Sequence, residues 1–173
     1  MPHNVLIAGR PGIGKTSLIN RLYRDLTPLY IRGFYKEAIF ENNILKGYRI
    51  SAFNFRELIL AHIHIEGPDR FADFGLNLDG FDAIVNEQLR ADRAVELFLI
   101  DEIGLMECRS KLFRKNFLEL LDSDIPVIAT LTSIDVLKTL SIKNRKDFVL
   151  LKMTISNRES MWKNVLLEIS KNE

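Results

Sequence analysis

Cysteine is nearly missing from this chain: Cys108 is the single one among 173 residues, which excludes an internal disulfide framework and fits a reducing compartment. A dominant charge is missing too. Twenty-four basic against twenty-three acidic side chains leave a formal net charge of +1, so bulk electrostatics favour neither a polyanion nor a polycation, and no nucleic acid partner is expected. No stretch approaches the ~18 consecutive apolar residues of a membrane-spanning helix. The opening Met1-Pro2-His3-Asn4 lacks the basic region and apolar run of a secretory signal. Internal repeats, low-complexity segments and linkers are also lacking. These absences lead to a soluble, cytoplasmic protein with no membrane partner. Its oligomeric state is not legible, and a monomer is the default.

Apolar material, by contrast, is ample. Hydrophobic residues make up 47% of the chain, and a chain of this size buries roughly 70% of its unfolded surface. One domain spanning 1–173 is expected. The apolar run Val5-Leu6-Ile7-Ala8 reads as a strand buried on both faces of a parallel sheet. Leu18, Ile19 and Leu22 then fall at helical spacing before Pro28. Between Gly33 and Ile65, short apolar runs broken by Asn42-Asn43 and Gly47 predict strands with an antiparallel hairpin, the last alternating from Leu58 to Ile65. Asp79 is a candidate cap for a helix carrying Phe81, Ile84, Val85 and Leu89. Val95 to Ile100 reads as a strand stopping at Asp101-Glu102. Phe113, Phe117, Leu120 and Leu121 line one helix face. Ile125 to Leu131 and Asp147 to Met153 are further strands, and Ser156 with Glu159 forms a capping box for a last helix. Alternating strands and helices predict an α/β fold.

Gly9-Arg10-Pro11-Gly12-Ile13-Gly14-Lys15-Thr16 satisfies G-x-x-x-x-G-K-[ST] at every fixed position, between a predicted strand and a predicted helix. The chemistry of phosphate binding needs these residue types. Glycines allow left-handed backbone and let N–H groups approach phosphate oxygens. The following helix start adds partial positive charge. Lys15 is placed to reach the β- and γ-phosphates, Thr16 to hold Mg²⁺ through its hydroxyl, and Ser17 completes the segment. A chance match in a chain of this length is on the order of one in a hundred, given glycine at about 7% of residues.

A Mg²⁺–nucleotide site also needs an aspartate at the end of a nearby buried strand. Leu97-Phe98-Leu99-Ile100-Asp101 supplies it, and Glu102 follows as the residue to polarise a water for attack on the γ-phosphorus. Asp101-Glu102-Ile103-Gly104 also spells the D-x-x-G of regulatory GTPases. The guanine-selecting N-K-x-D is missing, however: Thr132-Ser133-Ile134-Asp135 has no lysine, and Asn144-Arg145-Lys146-Asp147 is misordered. A GTPase switch is therefore disfavoured.

Together these motifs resemble a family of P-loop nucleoside-triphosphatases first noted in thermophiles and also termed cancer-related. The likeness runs from G-x-P-G-[IV]-G-K-T at Gly9 to Thr16, through G-F-Y-x-E at Gly33 to Glu37 and D-E-I-G-x-M-E at Asp101 to Glu107. It continues with N-R-K-D at Asn144 to Asp147 and T-x-x-N-R at Thr154, Asn157 and Arg158. The resemblance implies Mg²⁺-dependent hydrolysis of ATP, GTP, CTP and UTP with little preference among bases. It also implies that the phosphate loop and the stretch from Leu97 to Gly104 are the nucleotide-binding segments. The family's G-x-R-x-G-F pattern is incomplete here, where Gly47-Tyr48-Arg49-Ile50-Ser51-Ala52-Phe53 lacks the second glycine.

Phosphoryl transfer calls for a cation beyond Lys15, and Arg145, in the basic cluster Lys143 to Lys146, is the candidate finger, with Arg158 and Arg10 as others. Asp69-Arg70-Phe71 resembles an acceptor-handling element of some kinases, with a solvated turn as the plainer reading. His62 and His64 share one face of the predicted strand without a third ligand nearby. Cys108 reads as an inert thiol. The expected architecture is a three-layer α-β-α sandwich with a mostly parallel sheet of the RecA-like branch plus an antiparallel hairpin. The expected activity is hydrolysis of nucleoside triphosphates, with Lys15, Glu102 and Arg145 catalytic and Thr16 and Asp101 holding Mg²⁺. The rivals are a nucleotide or small-molecule kinase and a non-catalytic nucleotide-controlled binding module.

Overall fold

In a computed structural model that describes residues 4–170, nine strands form one sheet. Met1, Pro2 and His3, on which part of the signal-peptide reading rested, lie outside the described residues. In chain order the elements are β1 (Asn4–Ala8), α1 (Lys15–Asp25), β2 (Ile31–Glu41), β3 (Ile44–Ala52), β4 (Glu57–His62), β5 (Arg70–Phe71) and β6 (Phe74–Leu76). They continue with α2 (Leu78–Gln88), β7 (Leu97–Ile103), α3 (Lys111–Leu121), β8 (Val127–Leu131), α4 (Asp135–Thr139), β9 (Phe148–Lys152) and α5 (Met161–Ser170). The sheet order is β5-β6-β4-β3-β2-β7-β8-β1-β9, parallel from β2 to β9 and antiparallel from β2 to β5. The parallel α/β half is as expected. The antiparallel part exceeds a hairpin, because β3, β4, β6 and β5 add in succession.

Period-two alternation splits the core into two layers. Val5 and Ile7 of β1, with Leu97 and Leu99 of β7, pack against Leu18, Ile19 and Leu22 of α1 and Met161 and Val165 of α5. Leu6, Phe98 and Ile100 face the other way, against Phe81 and Ile84 of α2 and Phe113 and Phe117 of α3. Phe34 of β2 joins that side, its ring centroid 5.6 Å from Phe81. These side chains are fully buried. Burying one large apolar side chain stabilises the fold by ~1.5–3 kcal/mol.

Several boundaries differ from the sequence reading for local reasons. Asn77 rather than Asp79 caps α2, its Oδ1 accepting the Gly80 N–H at 3.0 Å, while Asp79 sits in the first turn, where the helix dipole still favours it. α5 begins at Met161, so Ser156 and Glu159 form no capping box. The Ser156 hydroxyl meets that of Thr154 at 3.0 Å, and Glu159 pairs with Arg158 at 3.2 Å. β4 ends at His62 because Ile63 and His64 turn the chain back, with Ile65 N–H donating to the His62 carbonyl at 3.2 Å. His64 therefore lies in a turn beside His62, their rings 5.1 Å apart. β7 does not stop at the acid pair but runs through it to Ile103, its register against β8 shifting between Ile100 and Ile103.

Candidate nucleotide site

β1 delivers the chain to the phosphate loop at the carboxyl edge of the parallel strands, where ligands of open α/β sheets bind. Gly12 (φ 73°) and Gly14 (φ 111°) take left-handed backbone, which only glycine adopts at little cost. Ile13 between them is 3% exposed and anchors the loop in the α1–α5 layer. α1 then starts at Lys15 with no side-chain cap on its first N–H groups, so those donors and the positive end of the helix dipole face the loop. Lys15 is buried; its ammonium donates to the Gly9 carbonyl at 2.9 Å and lies 3.5 Å from Glu102 Oε2. A cavity of about 350 Å³ is lined by Pro11, Gly12, Gly14, Lys15, Thr16, Ser17, Lys36 and Glu102.

The strand carrying the acid pair contributes in two ways. The side chains of Leu97, Phe98, Leu99, Ile100 and Ile103 are wholly buried core, so they hold the strand rather than reach the cavity. Asp101 is 1% exposed; its Oδ1 accepts a short hydrogen bond from the Thr130 hydroxyl on β8, and its Oδ2 is buried without a hydrogen-bond partner. The peptide joining Asp101 to Glu102 is cis. Gly104 N–H donates to Glu107 Oε2 at 2.8 Å.

Glu107 is 0% exposed, and its Oε1 accepts from the Lys36 ammonium at 2.8 Å. Burial pushes the Lys36 ammonium down. The Glu107 carboxylate and its hydrogen bond oppose this, with Glu102 and Tyr48 adding to them, and hold the group above its ordinary value. Sequence reasoning gave neither residue a role, although Glu107 closes the D-E-I-G-x-M-E motif and Lys36 fills the open position of G-F-Y-x-E. The available signals were the same-face register of Lys36 with buried Phe34, two positions earlier, and an acid following the apolar Met106.

Arg145 is not brought to the loop. Its guanidinium hydrogen-bonds Asp147 at 2.9 and 3.1 Å through Nε, and it also pairs with Asp122. Asp147 directly precedes β9, and its carbonyl accepts from Asn4, the first residue of β1, at 3.1 Å. This is the amino edge of the strands, whereas the phosphate loop leaves β1 at Ala8, so a finger role for Arg145 is corrected to a structural clamp. Arg10 is exposed and lines a separate hollow with Met153 and Ile155. Asp69 and Arg70 lie at the far edge of the sheet, with six strands between β5 and β1, and Arg70 donates to the Asp73 carbonyl at 2.8 Å.

A second cleft, of about 310 Å³, shares Gly14 and Ser17 with the first. Ile13, Leu18, Met153 and Trp162 give it apolar walls, and Arg21, Arg24, Arg158 and Glu159 stand at its rim. The Arg21 guanidinium lies 3.8 Å over the Trp162 ring. None of the polar side chains lining this cleft is buried.

A parallel sheet, a glycine loop running from β1 into an uncapped helix start, and an acid pair on β7, with β8 between it and β1, define the P-loop nucleotide-binding class. Comparison narrows the class: the family model described as NTPase matches residues 4–166. The chain belongs to this nucleoside-triphosphatase family. It is similar to nucleoside-triphosphatase THEP1 of Thermotoga sp. (strain RQ2), 36% identical over 163 residues that cover 94% of this chain and 92% of the relative. The crystal structure of THEP1 from the hyperthermophile Aquifex aeolicus superposes with a TM-score of 0.82 at 27% identity, covering 97% of this chain and 99% of that one. The solution structure of a human cancer-related nucleoside triphosphatase superposes at 0.80 and 23% identity, over 98% of both chains, and shares the fold.

Proposed function

We propose that the chain hydrolyses nucleoside triphosphates to the diphosphate and inorganic phosphate with Mg²⁺, and with little choice of base. The observation that carries this reading is the meeting of Lys15, Thr16 and Glu102 in one cavity at an uncapped helix start. The loop amides and Lys15 position the β- and γ-phosphates. Glu102 orients a water whose oxygen bonds to the γ-phosphorus as the bond to the β–γ bridging oxygen breaks, its electron pair leaving with the diphosphate. The proton of that water passes to the Glu102 carboxylate and from there to solvent. Catalysis is positioning and charge stabilisation.

The residues present fit a magnesium ion. Asp101 Oδ2 is a buried carboxylate oxygen without a partner, and with the Thr16 hydroxyl it forms the small all-oxygen set that Mg²⁺ takes alongside phosphates and water. Bound there, the ion would offset phosphate charge. Low base selectivity is supported by the second cleft, which leads away from Ser17. Strong discrimination requires buried polar groups left unpaired by the wrong substrate, and none of its polar lining is buried. Family membership and the name of the Thermotoga relative support hydrolysis over transfer. The kinase reading loses its acceptor element, since Asp69 and Arg70 lie at the far sheet edge.

Phosphate release from ATP, GTP, CTP and UTP, measured with Mg²⁺ and no acceptor, tests the proposal. Turnover on several nucleotides is expected, abolished by EDTA. Release that begins only when a nucleoside, monophosphate or sugar is added establishes a kinase. Binding without release under any condition establishes a switch.

A further inference from the structure

We propose that Lys36 is a second catalytic cation of this site, its ammonium engaging the γ-phosphoryl oxygens, with Glu107 as the residue that positions it. The inference rests on the hydrolase reading above and adds a group that neither the glycine loop nor the acid pair contains. Its basis is topological first. The parallel pairing of β2 with β7 ends at Tyr35 opposite Asp101, so the next residue, Lys36, emerges at the carboxyl edge, level with Glu102. It lines the same cavity as Lys15, Thr16 and Glu102.

The environment of Lys36 is that of a held cation rather than a solvated one. Its side chain is 8% exposed, and among the described residues its one salt-bridge partner is the wholly buried Glu107 at 2.8 Å. An ammonium has three donors. One goes to Glu107, leaving two for phosphate oxygens. The other oxygen of Glu107 accepts the Gly104 N–H at 2.8 Å, so a single carboxylate ties Lys36 to the end of the strand that carries Glu102.

Charge requirements point the same way. In phosphoryl transfer negative charge spreads over three equatorial oxygens and calls for a cation in addition to the loop lysine. Arg145 is clamped at the amino edge, and Arg158 pairs with Glu159. Among the residues lining this cavity the cations are Lys15 and Lys36. Lys36 keeps its protons throughout; bond making and breaking are those already given, and its role is to offset charge on the transferring group.

The test compares Lys36→Met and Lys36→Arg with the unaltered protein. Calorimetry gives the affinity for a nucleoside diphosphate and for the β,γ-imido triphosphate, and phosphate release gives kcat. Lys36→Met is expected to lower kcat by about a hundredfold or more. It should weaken the imido triphosphate about tenfold while leaving the diphosphate within about twofold. Lys36→Arg should retain most of both. Because Lys36→Met leaves Glu107 buried without its partner, the double variant Lys36→Met/Glu107→Gln is measured beside it and should show the same contrast in a fold of normal thermal unfolding.

Glu107→Gln adds a readout that a purely structural role would not move. The groups then facing Lys36 are Glu102 on β7 and Tyr48 on β3, with Lys15 of α1 lining the same cavity. Burial, the largest influence on Lys36, then acts without its main counterweight, so Lys36 gives up its proton at lower pH than in the unaltered protein, and the affinity of Glu107→Gln for the imido triphosphate relative to that of the unaltered protein should fall as pH rises. Equal weakening of diphosphate and triphosphate by Lys36→Met, or no change in either, overturns the proposal. If the unaltered protein releases no phosphate, the hydrolase reading fails instead, and the affinity contrast still decides whether Lys36 binds the γ-phosphate.

Discussion

Side chains of like charge do different work here according to where the strands deliver them. Arg145 looked in sequence like a finger because it stands in a basic loop cluster. Its two carboxylate partners raise its hold on the proton further, and the Arg145 hydrogen bonds hold the Asp147 carboxyl below its ordinary range. Arg145→Ala should leave kcat unchanged and lower stability by about 1 kcal/mol or less, since exposed ion pairs are screened; thermal unfolding with a parallel phosphate assay checks both. A carboxyl whose folded pKa lies below its unfolded one contributes stability that is complete above the unfolded value, about 3.9. That contribution is lost as pH falls through the folded value. The difference between wild type and Arg145→Ala should therefore shrink only in acid. Cys108 gives a second check at this scale. Burial, reinforced by Glu107, pushes its thiol up to about 12, so at pH 8 iodoacetamide should leave the native protein unlabelled and react fully once it is unfolded.

The elements explain what was and was not legible. Short-range signals carried well: the β-branched run into β1, the Leu18, Ile19 and Leu22 face of α1, and the Phe113 to Leu121 face of α3 all lie where periodicity puts them. Long-range ones did not. The Lys36–Glu107 pair joins residues 71 apart in sequence, and only the pairing of β2 with β7 brings them together. The position of Arg145 likewise depends on which end of β9 its loop occupies, which composition does not encode. Gly33 shows how tightly β2 and β7 approach. Its φ is 133°, and a Cβ there would stand 1.9 Å from the Leu99 carbonyl oxygen. Gly33→Ala should therefore part these strands and destabilise the fold by ~3 kcal/mol or more, read as a shifted denaturation midpoint with impaired nucleotide binding.

At the scale of the whole molecule, the sheet divides the labour. Its parallel half presents the loop, the acid pair and Lys36 along one edge, and its antiparallel half extends β2 sideways through β3, β4, β6 and β5. Among the described residues no helix is long and apolar enough to cross a membrane. Nucleotide bound at the proposed site along that edge would touch α1, β2 and β7 together, so binding should stabilise the fold as a unit, by ~2.7 kcal/mol at a hundredfold excess over Kd. Whether this edge hydrolyses the triphosphates it binds is tested most directly by Glu102→Gln, in a single-turnover measurement of bound nucleotide against released phosphate. Glu102→Gln should bind ATP with wild-type affinity and release phosphate at least about a hundredfold more slowly, while Lys15→Ala should lose binding and turnover together. Wild-type release by Glu102→Gln would contradict hydrolysis at this edge.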